Sequence, residues 1–226
     1  MCFSASASFT ASAFLSLIGL TTLWRIRFDR RLLPAASIPL IFGIQQAAEG
    51  MVWLGIYNNR PDLITFFSYI FLGIAMICWP LIVPYAVYAL EKNQKRKQLL
   101  RYLLFVGLVI AVTLVGTLLM VPIRVIIQHH HIVYEIAMSD GWIWLATILY
   151  IIATLVPLFV STQQYARLFG IILAVSYGIS YIQFSYAHIS IWCFIAAILS
   201  VLILLLLNDN PTSLKLRRTN GRSCSP

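Results

Sequence analysis

The sequence predicts an all-α, polytopic membrane protein of seven transmembrane helices, with its N-terminus outside and its C-terminus in the cytoplasm. Three observations predict it. Hydrophobic residues make up 61% of the 226 and charged residues only 10%, against about 25% charged in a soluble domain. The apolar residues come in seven long runs parted by short polar breaks. None of them shows the ~10-residue alternation of a membrane β-barrel. Lys and Arg fall on alternate breaks: fourteen lie after runs one, three and five and in the tail, and two, Arg60 and Arg124, lie on the other side. Basic loops stay in the cytoplasm, which sets the orientation. The net charge of +9 is then a topology signal. It makes the lipid bilayer the expected partner and nucleic acid an unexpected one.

The runs follow in order. The first, about 9–23, is rich in Ser and Ala, small residues that let helices approach closely in lipid. The basic break at 25–31 follows. The second, about 33–57, carries three polar residues discussed below. The short turn 58–62 leads to the third, about 63–90, which is long for a span and holds Cys78-Trp79-Pro80 and Pro84. Those prolines predict a kink. After the charge run 91–97, the fourth segment, about 102–121, is plain aliphatic and ends at Pro122. The stretch 123–140 is too amphipathic to span and reads as a short helix in the membrane interface. The fifth, sixth and seventh segments are about 142–160, 168–184 and 189–207. Residues 1–207 thus form the membrane domain, and 208–226 a basic cytoplasmic tail expected to be disordered. No cleavable signal peptide is expected, because the N-terminus lacks a basic region and a small-residue cleavage site.

The second run is unusual because it places Gln45, Gln46 and Glu49 at membrane depth, with Trp53 one turn on. Gln45, Glu49 and Trp53 are spaced i, i+4, i+8 and share a helix face. A carboxylate in lipid is costly and persists where it faces a cavity, the protein interior or a partner. Glu49 therefore reads as a cation ligand, a proton carrier or a base, against the plainer reading of a structural carboxylate. Gln45 and Gln46 read first as interhelical glue.

The predicted topology brings other polar residues to the same outer end: the N-terminus with Cys2, the triplet His129-His130-His131, and Tyr181, Ser185, His188, Trp192 and Cys193 at the last helix pair. The candidate ligand-binding set is Glu49, Gln45, Gln46, Tyr181, His188 and Trp192. The candidate metal ligands are Cys2, Glu49 and His188. Removal of Met1 would leave an amine beside the Cys2 thiol, a good chelate for soft metals. Adjacent histidines diverge by about 100° on a helix, so the triplet reads as a solvated loop before it reads as a metal site. The four cysteines form no Cys-x-x-Cys pair, which argues against a zinc ribbon or thioredoxin motif. Trp24, Trp53, Trp142, Trp144 and Trp192 fall near run ends, as an aromatic belt does.

Familiar seven-helix activities are excluded. Segments five to seven hold no Lys for a retinal Schiff base, no Ser in a Gly-rich Gly-x-Ser context marks a rhomboid-type protease, and no Pro-Gln pairs mark a PQ-loop sugar transporter. No mid-segment Asp is present to ligate the zinc of a ceramidase-like hydrolase.

Met1-Cys-Phe-Ser-Ala5, the stretch from Pro39 to Gln46 with Glu49-Gly-Met-Val-Trp53, Trp79-Pro80, and Ser190-Ile-Trp-Cys-Phe-Ile-Ala-Ala197 together resemble an uncharacterised bacterial family of small multi-pass membrane proteins that begin Met-Cys-Phe-Ser-Ala. The resemblance covers nearly all of the membrane part. It implies a bacterial inner-membrane location and draws attention to Cys2, Ser4, Gln46, Glu49, Trp192 and Cys193. It implies no activity. The leading expectation is binding or transport of a small cation or polar solute through an outward-facing polar pocket, with Glu49 as its central acid. The alternatives are an intramembrane enzyme with a Cys/His/Glu site, and a structural subunit whose Glu49 meets a membrane partner protein.

Overall fold

The computed structural model describes residues 4–26, 29–183 and 187–201. Cys2, Ser185, Cys224 and the tail 208–226 lie outside the described residues. Helix α1 (Ala5–Ile26) turns into α2 (Leu33–Tyr57). Helix α3 (Pro61–Leu72), a π-helical turn (Gly73–Cys78) and α4 (Trp79–Leu90) then run on as one rod. Helix α5 (Gln94–Met120) follows, then a two-stranded hairpin, then α6 (Asp140–Val160), α7 (Gln164–Gln183) and α8 (His188–Ser200). Five of these rods are long and apolar enough to cross a membrane: α1, the α3–α4 rod, α5, α6 and α7. Their outward faces carry bare hydrophobics such as Phe14, Tyr102, Leu119 and Ile182, as lipid contact requires.

The stretch after Pro122 is not the short interfacial helix its amphipathicity suggests. It forms β1 (Ile123–Gln128) and β2 (His131–Ile136), antiparallel, with Gln128 opposite His131. Pro122 blocks continuation of α5, and the β-branched and aromatic residues on both sides favour a pleated strand. The two-residue turn is His129-His130, with φ of 49° and 63°. Both residues are left-handed, the geometry that matches strand twist in a tight hairpin. The triplet is thereby split: His129 and His130 are exposed at the tip, and His131 is buried. Burial pushes the His131 imidazole down from its ordinary pKa.

Packing is tightest between α1 and α2. A methyl at Gly19 would stand 2.6 Å from Leu40 Cβ, and one at Gly50 would stand 2.9 Å from the Phe9 ring. The small residues of the first run therefore do what their size allows: the two backbones approach closely. The core divides into two halves. One gathers Phe42, Trp79, Leu100, Leu155 and Phe169. The other gathers Val52, Trp53, Phe71, Leu72 and Cys193, and the hairpin closes over it through Ile132 and Tyr134. The Tyr134 and Phe71 rings stack at 4.9 Å.

Prolines shape the α3–α4 rod as the sequence implies, through a specific device. In a π-turn the carbonyl of residue i meets the N–H of residue i+5. For Ala75 that residue is Pro80, which has none. The Tyr150 hydroxyl of α6 donates to the Ala75 carbonyl instead, at 2.6 Å. One turn on, Pro84 withholds an N–H from the Pro80 carbonyl, and Gly107 of α5 comes so close to that oxygen that a side chain there would collide with it.

Candidate functional site

Helix α2 carries its polar residues inward. Gln45, Gln46 and Glu49 are each 0% exposed and Trp53 is 3% exposed. The shared face read from the i, i+4, i+8 spacing meets two different helices. The Trp79 indole N–H of α4 donates to Gln45 Oε1 at 3.1 Å, and the Trp79 ring stacks on Phe42 at 4.0 Å. One turn further on, the Ser190 hydroxyl of α8 donates to Glu49 Oε1. Glu49 is therefore held at the first turn of α8 and points away from lipid. Gln46, about 100° round the helix from Gln45, is also buried, and neither of its amide atoms has a protein hydrogen-bond partner among the described residues.

The aromatic residues of α7 and α8 assemble beside this acid. Tyr177 is the hub: its ring meets Trp192 edge-on at 5.0 Å and His188 edge-on at 5.8 Å, and it stacks with Tyr181 at 6.2 Å. Tyr150 meets Trp192 edge-on at 6.1 Å. The Trp192 indole N–H donates to the Leu173 carbonyl of α7 at 3.3 Å. His188 and Trp192 line a cavity of about 210 Å³ with Tyr134, Tyr150, Tyr177 and Cys193. It lies under the hairpin, between the π-turn, α5, α6, α7 and α8. Tyr181 meets His188 edge-on and is itself 41% exposed.

A second cavity, of about 100 Å³, lies toward the opposite end of the bundle, where Leu90, Gln163 and Tyr165 line it. Tyr150, Trp192 and Cys193 belong to the walls of both cavities. They form the partition between them. Neither cavity is lined by Glu49, Gln45 or Gln46. The acid lies on the other flank of α8, with Cys193 at the boundary. Two groups expected together are thus neighbours across one helix: α2 and Ser190 hold the carboxylate, while α7 and α8 hold the rings.

Among the described residues no three His, Cys, Asp or Glu side chains converge on one point. Of the three candidate metal ligands, Glu49 binds Ser190, His188 faces the cavity, and Cys2 is outside the described residues.

Four residues matter beyond the sequence motifs. Trp79, at the proline kink, is a hydrogen-bond donor to Gln45. Tyr150 and Tyr177 were unremarked, although a tyrosine in the middle of an apolar run signals a partner for its hydroxyl. Glu91, one member of a charge run by sequence, is only 2% exposed. Its carboxylate accepts from the N–H groups of Lys92 and Asn93 and from the N–H and hydroxyl of Thr162, at 2.8–3.0 Å. Burial pushes its pKa up, but these four donors outweigh burial and hold it below the ordinary carboxylate value. Glu91 thereby ties the α4–α5 turn to the α6–α7 turn.

No curated protein and no solved structure matches the chain. The resemblance to an uncharacterised family does have a counterpart. A model of a family of unknown function (DUF6629) matches residues 1–218, and the chain belongs to that family.

Proposed function

We propose that this protein binds, and carries across the membrane, a small cation or polar solute that enters beneath the β1–β2 hairpin. The reading sets the chain in a bacterial inner membrane as seven spans, with the hairpin outside and the α4–α5 and α6–α7 turns in the cytoplasm. The distribution of Lys and Arg supports that orientation. Helix α2, at 25 residues, is long enough to be a sixth span, its hydropathy lowered by the polar residues it buries. The seventh, the run 189–207 of the sequence, begins with α8.

The observation that carries the proposal is the pairing of a cavity of about 210 Å³ with a fully buried carboxylate across α8. An intramembrane acid is expensive to keep. A binding site gives both a use. The second cavity behind the Tyr150–Trp192–Cys193 partition supplies an exit toward the other end of the bundle.

The test is uptake into proteoliposomes of a panel holding small inorganic cations, alkylammonium ions and neutral polar solutes. Wild-type protein should accumulate at least one of them. Glu49→Gln should abolish that uptake with insertion and helix content intact, and Thr147→Trp, which fills the cavity, should do the same. Normal uptake in Glu49→Gln, or no uptake of any solute by the wild type, would overturn the proposal.

A further inference from the structure

We infer that the solute of the cavity beneath the hairpin is an organic cation, an alkyl- or arylammonium held on aromatic rings and balanced by Glu49. This rests on the reading above and narrows it. The argument starts from what the wall offers. Tyr134, Tyr150, Tyr177, His188 and Trp192 supply five rings to one cavity, and no Lys or Arg lines it. Two of those rings have no polar handle left to give. The Tyr150 hydroxyl is committed to the Ala75 carbonyl, and the Trp192 N–H to the Leu173 carbonyl. What they offer a solute is ring carbon and the negative potential of the ring face. Those two hydrogen bonds also fix the rings in place, so they need no ordering when a solute arrives.

That wall discriminates between solute classes. A hard metal ion requires about six oxygen ligands. Neutral Thr147, His188 and the tyrosines are the main polar side chains of the lining, and no three metal-binding groups meet among the described residues. A neutral polar solute would lose its water without finding paired donors and acceptors. An ammonium bearing carbon substituents is weakly hydrated, is attracted by ring faces, and buries apolar area at the same time. Its charge needs a counter-ion where water is excluded. Glu49 stands across α8, held by Ser190, beside the Cys193 position of the cavity wall.

The experiment measures equilibrium binding to the purified full-length protein in detergent. The probes are benzyltrimethylammonium, its uncharged carbon isostere neopentylbenzene, and Mn²⁺. The expected result is binding of the ammonium with an affinity at least tenfold above that of the isostere, unaffected by Mn²⁺. Glu49→Gln should lower ammonium affinity about tenfold and leave the isostere unchanged. Tyr177→Leu should weaken the ammonium about tenfold, and Tyr177→Phe, which keeps the ring, should restore it. If Glu49→Gln fails to fold, the Tyr177 pair still decides. Equal affinity for ammonium and isostere would overturn the cation assignment and leave the cavity as a binding site. Displacement of the ammonium by Mn²⁺ would overturn it in favour of a metal site. No binding of any probe, with Thr147→Trp indistinguishable from wild type, would overturn both this inference and the binding function beneath it.

Discussion

Tyr150→Phe isolates a single hydrogen bond. The ring stays, with its edge-on contact to Trp192 at 6.1 Å. The hydroxyl that donates to the Ala75 carbonyl at 2.6 Å is lost. That carbonyl lies in the π-turn, and the N–H that would serve it belongs to Pro80, which has none. It would be left without a protein partner, beside the cavity that Ala75 and Tyr150 line. Leaving a buried acceptor unpaired costs about 1–3 kcal/mol. Hydrogen bonds between membrane helices average only about 0.6 kcal/mol and reach about 1.7, because the unfolded chain in lipid also finds partners. The π-turn prevents such a substitution locally, so the expected loss is near the upper end, about 1.5 kcal/mol. The assay is reversible unfolding in mixed micelles of rising SDS fraction, followed by far-UV circular dichroism. Tyr150→Phe should move the midpoint down with its slope unchanged. The double variant with Pro80→Ala should recover part of the loss, because an N–H returns to the rod at the position the π-turn needs. A Tyr150→Phe midpoint within error of wild type would refute the account of Ala75 as a carbonyl dependent on α6.

Three further outcomes are expected. Gly107→Ala drives a methyl into the Pro80 carbonyl and should cost about 3 kcal/mol or prevent insertion. Gly116→Ala on the same helix meets nothing within 4 Å and should be neutral or stabilise by up to about 1 kcal/mol; the same unfolding assay separates them. Replacing His129-His130 by Asn-Gly should stabilise the hairpin by roughly 1 kcal/mol, since both positions are left-handed and Asn-Gly adopts that turn without strain; a thermal melt reads it, and no gain would count against the turn. Glu91 has a folded pKa below its ordinary value, so its contribution is complete above the unfolded value of about 4.3 and is lost as pH falls through the folded value. Wild-type stability should therefore decline below about pH 4 more steeply than that of Glu91→Gln, and parallel pH profiles would remove Glu91 from this role.

The helices were legible because lipid allows few solutions. A run of about twenty apolar residues becomes a helix whatever its detailed order, and the observed rods fall on the expected runs. The hairpin was not legible for the opposite reason. Over 123–140 neither lipid nor periodicity dictates a structure, and six-residue stretches of Ile, Val and Tyr serve an interfacial helix and a strand alike. What decides between them is whether two adjacent histidines accept left-handed backbone, and sequence pattern does not report that. At the site, the burial of Glu49 followed from its cost, and its spacing with Gln45 gave a common face. That the face would be divided between Trp79 and Ser190, residues 34 and 141 positions away, depends on how α4 and α8 pack against α2. No local rule carries that information. Glu91 shows the same limit at the membrane surface. Its neighbours in sequence are lysines, and its partner, Thr162, lies 71 residues on.

Helix α2 explains why a site sits where it does. One side of it, through Gly43 and Gly50, is pressed so closely on α1 that no side chain fits between them. That side cannot move without unpacking the pair. The other side meets α4 and α8 through apolar contacts, Phe42 stacked on Trp79 among them, and through two polar ones, Gln45 with Trp79 and Glu49 with Ser190. Each polar contact in lipid is worth less than about 2 kcal/mol. The cavity walls are carried by the π-turn, α5, α6, α7, α8 and the hairpin. A solute that drew Glu49 away from Ser190 would loosen α8 from α2, and α8 carries Trp192 and Cys193, two of the three residues that part the cavities. The acid and the partition are therefore coupled through one helix. The proposed transport would act through that coupling.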